Sequence, residues 1–202
     1  MENKVVNILI EFIKAAQNLN NGKKPDRVEC VDDGVMYGFS STPYLLGQLI
    51  RNYSQDWNHY LISEEALKTW KALTDDDMRF IWGRNKVNCT KDNDLILYKY
   101  KGNSNDSEEV KIKKGDTFTY NDIFHDEHIV TISDIEKELL ALEDVTKENV
   151  IRILDKIYVC RMLKVEDRGI YPKRHRSNNY REVLDGPYKK AGIKVIEGYF
   201  HD

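Results

Sequence analysis

The run His125-Asp126-Glu127-His128 places two imidazoles and two carboxylates in four consecutive residues. An imidazole titrates near neutrality and can take a proton from water, and a hard carboxylate suits Mg²⁺ or Mn²⁺. Together they suit metal-assisted hydrolysis, in which a divalent cation stabilises charge building on a phosphate while a base activates water. Strand-like sequence precedes the run, and apolar Ile129 and Val130 follow it. In an extended segment His125 and Glu127 point to one side while Asp126 and His128 point to the other. At most two or three of the four therefore share one site without a bend. The plainer alternative leaves both histidines as surface or helix-entry residues, with the acids favouring a helix N-terminus.

Two further groups bear on the same chemistry. Glu166-Asp167 follows Tyr158-Val-Cys-Arg-Met-Leu163, where the end of a strand would present carboxylates, so either is a candidate second metal ligand; an exposed acidic turn is the competing explanation. Pro172-Lys-Arg-His-Arg176 and Ser177-Asn-Asn-Tyr180-Arg181 mix cations with hydroxyl and amide donors. That mixture holds phosphates and occasionally base edges, which marks Lys173, Arg174, Arg176 and Arg181 as nucleic-acid contacts, against a solvated loop ahead of a small helix. The charge balance agrees with an anionic partner. Residues 150–194 carry 12 Lys/Arg against 5 Asp/Glu, while residues 1–149 hold a net −8. A basic solvated face is the alternative. Aromatic groups at Tyr53 to Tyr60 and at Phe80-Ile-Trp82-Gly-Arg84-Asn-Lys86 could stack on bases, anchor a protein, or pack in the core.

The run Glu127-His128-Ile129-Val130-Thr131-Ile132 resembles the first element of the HNH, or ββα-metal, nuclease superfamily. The resemblance spans roughly residues 116–170. It implies that Glu127 ligates a divalent metal and His128 is the general base, with Asn149 as the middle Asn that braces the loop holding that base. The family's last ligand has no clear counterpart here; Glu166, Asp167 and His175 are the substitutes. Thr131 stands where the family usually has Pro, and no zinc-binding cysteines support the fold.

The elements that must position these residues suggest an α+β fold. Val5, Val6, Ile8, Leu9, Phe12, Ile13 and Ala16 recur at helical spacing, and Leu45, Leu46, Leu49 and Ile50 fit a second helix after Pro43. Turn signals bracket a short strand-like run, Val35 to Phe39. Ser63-Glu64-Glu65 opens another helix, and Asp75-Asp76-Asp77 can start one more. The first half is thus mainly helical. Asp94–Lys101 and Glu109–Lys114 predict an antiparallel hairpin across a polar turn. Ser133-x-x-Glu136 has capping-box spacing for a helix to Glu143, a further helix starts near Thr146, and a short strand follows at Tyr158 to Met162. The C-terminal segment reads as a small helix, a Gly stop and a strand. Composition places a helical part at residues 1–90 and an α+β, HNH-like part with a basic end at residues 91–202, which can also be one integrated domain.

A hydrophobic share of 41% with 32% charged residues is that of a globular chain. Cys30, Cys89 and Cys160 are too few and too scattered for a disulfide framework or zinc ribbon. No apolar run approaches the roughly 18 residues that span a bilayer, and the start lacks signal-peptide features, so a cytoplasmic protein with no membrane partner is expected. No Gly-rich phosphate loop, serine nucleophile elbow, His-Glu-x-x-His helix or dinucleotide fingerprint occurs. The expectation is a metal-dependent DNA endonuclease using Mg²⁺ or Mn²⁺, of a restriction or phage-defence kind, working as a homodimer if both strands are cut. The alternatives are a non-catalytic nucleic-acid-binding regulator, a protein inhibitor of a nucleic-acid enzyme, and an interaction module using the acidic N-terminal part.

Overall fold

A computed structural model describes residues 4–19, 42–53, 59–100, 106–170 and 177–200. The fold is α+β. It comprises two compact units that interleave in sequence: one holds residues 1–59, 130–158 and 177–180, the other residues 60–129, 159–176 and 181–202. This division does not follow the expected boundary near residue 90, because the chain leaves each unit and returns to it. Composition changes along the chain, whereas units are defined by which side chains pack together.

The first unit is helical. Helix α1 (Lys4–Leu19) and α2 (Thr42–Tyr53) pack with α5 (Ile132–Leu140) and α6 (Lys147–Leu154). Val6, Leu9 and Ile13 from α1 meet Leu46 and Ile50 from α2 and Ile135, Leu139, Val150 and Leu154 from the other two. Each set repeats at three or four residues, which puts one apolar stripe per helix toward the shared core. The cap of α5 is Thr131, not Ser133: the Thr131 hydroxyl accepts from the Asp134 amide at 3.2 Å and donates to the Asp134 carboxylate at 2.7 Å. Thr131 wins because Ile132 and Ile135 must both face the core, which starts the helix one residue after it. Thr146 caps α6 as expected.

The second unit is built on a four-stranded mixed sheet, ordered β6-β7-β1-β8. Strand β1 (Tyr60–Ser63) runs parallel to β7 (Val159–Leu163), while β6 (Phe124–His128) and β8 (Val195–Ile196) pair antiparallel at the flanks. The central β7 is an almost unbroken apolar run, as a strand covered on both faces requires. Helix α3 (Glu64–Leu73) starts at Ser63, whose hydroxyl accepts from the Ala66 amide, with Glu64 and Glu65 in its first turn. Its Trp70 ring packs on Phe124 at 5.5 Å, and Tyr120 stacks on Phe124 at 5.3 Å.

Two small antiparallel pairs complete this unit. One joins β2 (Lys86–Asn88) to β5 (Thr117–Thr119), and the other is the expected hairpin of β3 (Ile96–Tyr100) and β4 (Ser107–Lys111). Helix α4 (Tyr120–Ile123) feeds β6, and α7 (Lys164–Gly169) continues β7. A helix, α8 (Tyr180–Val183), precedes the Gly192 stop, where φ is +74°. The strand expected at Val35–Phe39 and the basic run Pro172–Arg176 lie outside the described residues.

Candidate metal centre

Strand β6 extends through the whole His125–His128 run, so the side chains divide by alternation. His125 lies opposite Met162 and Glu127 opposite Cys160, on the face that α7 covers. There they meet Asp167, and one donor atom from each of His125, Glu127 and Asp167 lies within 4.8 Å of the others. His125 Nε2 is 3.3 Å from Glu127 Oε2. Among the described residues this is the one group of three or more histidine, cysteine or carboxylate side chains so arranged.

Burial makes the arrangement costly unless its charge is balanced. Glu127 is 6% exposed and Asp167 4% exposed, whereas His125 reaches solvent. Two buried carboxylates a few ångströms apart repel, and each loses hydration. A divalent cation balances both, and two hard oxygens with one imidazole nitrogen form a donor set that fits one. A protonated His125 would balance one of the two. Lys164 stands one helical turn before Asp167; burial holds its ammonium below the ordinary lysine range, against the pull of Asp122 and Asp167.

The opposite face of β6 carries a different network. Asp126 accepts a 2.6 Å hydrogen bond from the Tyr120 hydroxyl and lies 3.4 Å from Arg161 Nε. Arg161, directly across from it on β7, is 1% exposed, donates to the Met78 carbonyl, and lies over the Tyr60, Tyr120 and Phe200 rings at 5.5–5.8 Å. Burial, then the Asp126 charge, pushes the Tyr120 hydroxyl well up and the Tyr60 hydroxyl up. These groups hold the strand pair together and turn Asp126 away from the metal group.

The other expected site residues are placed as follows. His128 ends β6 and by alternation belongs to the Asp126 face. Glu166 neighbours Asp167 but is used locally: its Oε2 accepts from the Leu163 amide at 2.8 Å and the Ser63 hydroxyl at 2.6 Å, and burial raises its pKa. Asn149 lies in the helical unit, where its amide donates to the Asp144 carbonyl at 3.0 Å, tying down the turn before α6. Exposed Arg181 on α8 lies 3.9 Å from the Glu197 carboxylate. Lys173, Arg174, Arg176 and His175 lie outside the described residues. His125 is the group's member that the family resemblance passes over, although its two-residue offset from Glu127 already puts both on one side of a strand.

Compared with known protein families, curated proteins and solved structures, the chain matches none. Among the described residues no helix is long and apolar enough to cross a membrane.

Proposed function

We propose that the protein is a metal-dependent endonuclease that hydrolyses DNA phosphodiesters, with Glu127, Asp167 and His125 as ligands of one Mg²⁺ or Mn²⁺. The observation that carries this is the convergence of those three side chains, His125 and Glu127 from one face of β6 and Asp167 from α7, the helix that continues the antiparallel neighbour β7. A divalent cation held there would supply charge stabilisation for a phosphate and activation of water. The two carboxylates would hold it from β6 and α7, with His125 as the ligand nearest solvent. This reading gives His128 no contact with the metal, and Asn149 the task of shaping the turn before α6. Lys173, Arg174, Arg176 and Arg181 supply the cations for DNA outside the reacting centre.

The test is cleavage of supercoiled plasmid by the full chain in Mg²⁺ or Mn²⁺. Glu127→Gln and Asp167→Asn should each lower the rate at least about 100-fold, the loss expected when several kcal/mol of metal-borne stabilisation goes. His128→Ala should stay within a few fold of wild type. No cutting under any divalent cation, or full cutting by Asp167→Asn, overturns the reading.

A second reading, a nucleic-acid binder without metal, is favoured by the 3.3 Å His125–Glu127 contact, which can neutralise part of the buried charge by itself. It expects salt-sensitive DNA binding, no cleavage, and no heat of Mn²⁺ binding in calorimetry.

A further inference from the structure

Two of the largest exposed apolar side chains sit side by side on one turn. Phe80 is 70% exposed and Trp82 56% exposed. Ile81 between them is extended, with φ −120° and ψ 125°. Their Cα atoms are then about 6.6 Å apart, close to twice the roughly 3.4 Å spacing of stacked bases.

The turn is held firmly. The Asn85 side chain accepts from the Trp82 amide at 3.0 Å, the Asn85 amide returns to the Trp82 carbonyl at 3.1 Å, and Gly83 supplies the left-handed residue at φ +58°. Its far side is tied to the start of α4, where the Tyr120 amide donates to the Asn85 carbonyl and the Asn121 amide to the Gly83 carbonyl, both at 3.0 Å. Asn121 is four residues before His125, a separation that cannot exceed about 14 Å. A short strand of nucleic acid spans that distance.

Charge around the turn favours an anion. Arg84 and Lys86 are exposed, and among the described residues neither has an ion-pair partner. Of the acids just before the turn, Asp77 is paired with Arg79 at 2.8 Å and Asp75 with Lys91 at 2.5 Å. Rigid aromatics beside cations bind unpaired bases without reading their sequence, because every base offers a π-face.

We propose that the Phe80–Trp82 turn is a stacking platform for unpaired bases, and that the strand offered to His125, Glu127 and Asp167 is single-stranded or locally melted DNA. The link to that group rests on the nuclease reading; the platform itself does not.

The test is fluorescence anisotropy of a labelled oligothymidylate of about 12 nucleotides, with the full chain in EDTA and a duplex of equal length for comparison. Trp82→Ala should weaken single-strand binding about 5- to 150-fold and duplex binding less than about twofold, and Trp82→Phe should restore most of the loss. Arg84→Ala/Lys86→Ala should flatten the salt dependence by about 1.4 log units per log unit of salt. The platform fails if Trp82→Ala matches wild type, or if duplex binds as tightly as single strand. If the protein cuts plasmid while Trp82→Ala binds normally, only the platform falls; if it cuts nothing while Trp82→Ala loses the single strand, only the nuclease reading falls.

Discussion

Arg161 is the residue on which the second unit's sheet most depends. Its guanidinium is buried among three aromatic rings, pairs in charge with the Asp126 carboxylate and donates to the Met78 carbonyl. Arg161→Ala leaves Asp126 facing the Tyr120 hydroxyl with no cation nearby and should cost about 3 kcal/mol, read as a lower urea midpoint at unchanged slope. Glu166 gives a pH signature. Burial raises its folded pKa above the unfolded value, so the folded state keeps the proton longer. Its contribution to stability is therefore full below the ordinary carboxylate range and is lost as pH rises through the raised value. Urea midpoints followed upward from about pH 4 should show a decline that Glu166→Gln removes; an identical decline in the variant would assign it elsewhere. At this scale the sequence shows the cluster and the division of its faces, because strand alternation is strict. It does not show which histidine joins the carboxylates: motif resemblance selects His128 for its adjacency to Glu127, whereas the strand selects His125 for its offset of two. Nor does a lone arginine in Tyr158-Val-Cys-Arg-Met-Leu163 reveal a buried ion pair, since its partners lie far away in sequence.

Among elements, caps were the most legible feature, and close approaches the least. Ser63 and Thr146 cap where their side chains predict, because the hydroxyl bonds within one turn. The shift from Ser133 to Thr131 came from the tertiary demand that Ile132 and Ile135 share the core. Gly47 in α2 is a close approach that no local pattern announces. A Cβ there would collide with the Glu136 carboxylate, come within 3.2 Å of an Arg51 nitrogen and meet Ile132 Cγ2 at 3.4 Å. Gly47→Ala should therefore lower the thermal midpoint, although alanine in an unconstrained helix gains about 1 kcal/mol over glycine. A raised midpoint would mean that buried Glu136 swings aside freely.

For the whole molecule, the α+β class was readable from periodicity, but the interleaving of units was not, since it depends on pairings such as Leu61 with Cys160. A fragment of residues 91–202 keeps β6, β7 and β8 but lacks β1, which lies between β7 and β8. It should give poorly dispersed amide NMR spectra, whereas good dispersion would show that the sheet closes without β1. The same sheet order governs how the protein is made. Strand β1 leaves the ribosome long before its neighbours, with β8 arriving roughly 130 residues later, a delay of about 7–26 s at ordinary rates of synthesis. Until β7 emerges the nascent chain carries Leu61 and Ile62 on a strand with both edges open, and until β8 follows one edge stays open, a template for stray pairing. Production of this protein in cells should thus depend on chaperones that hold emerging chains, and slower translation should lengthen its exposure instead of helping it fold.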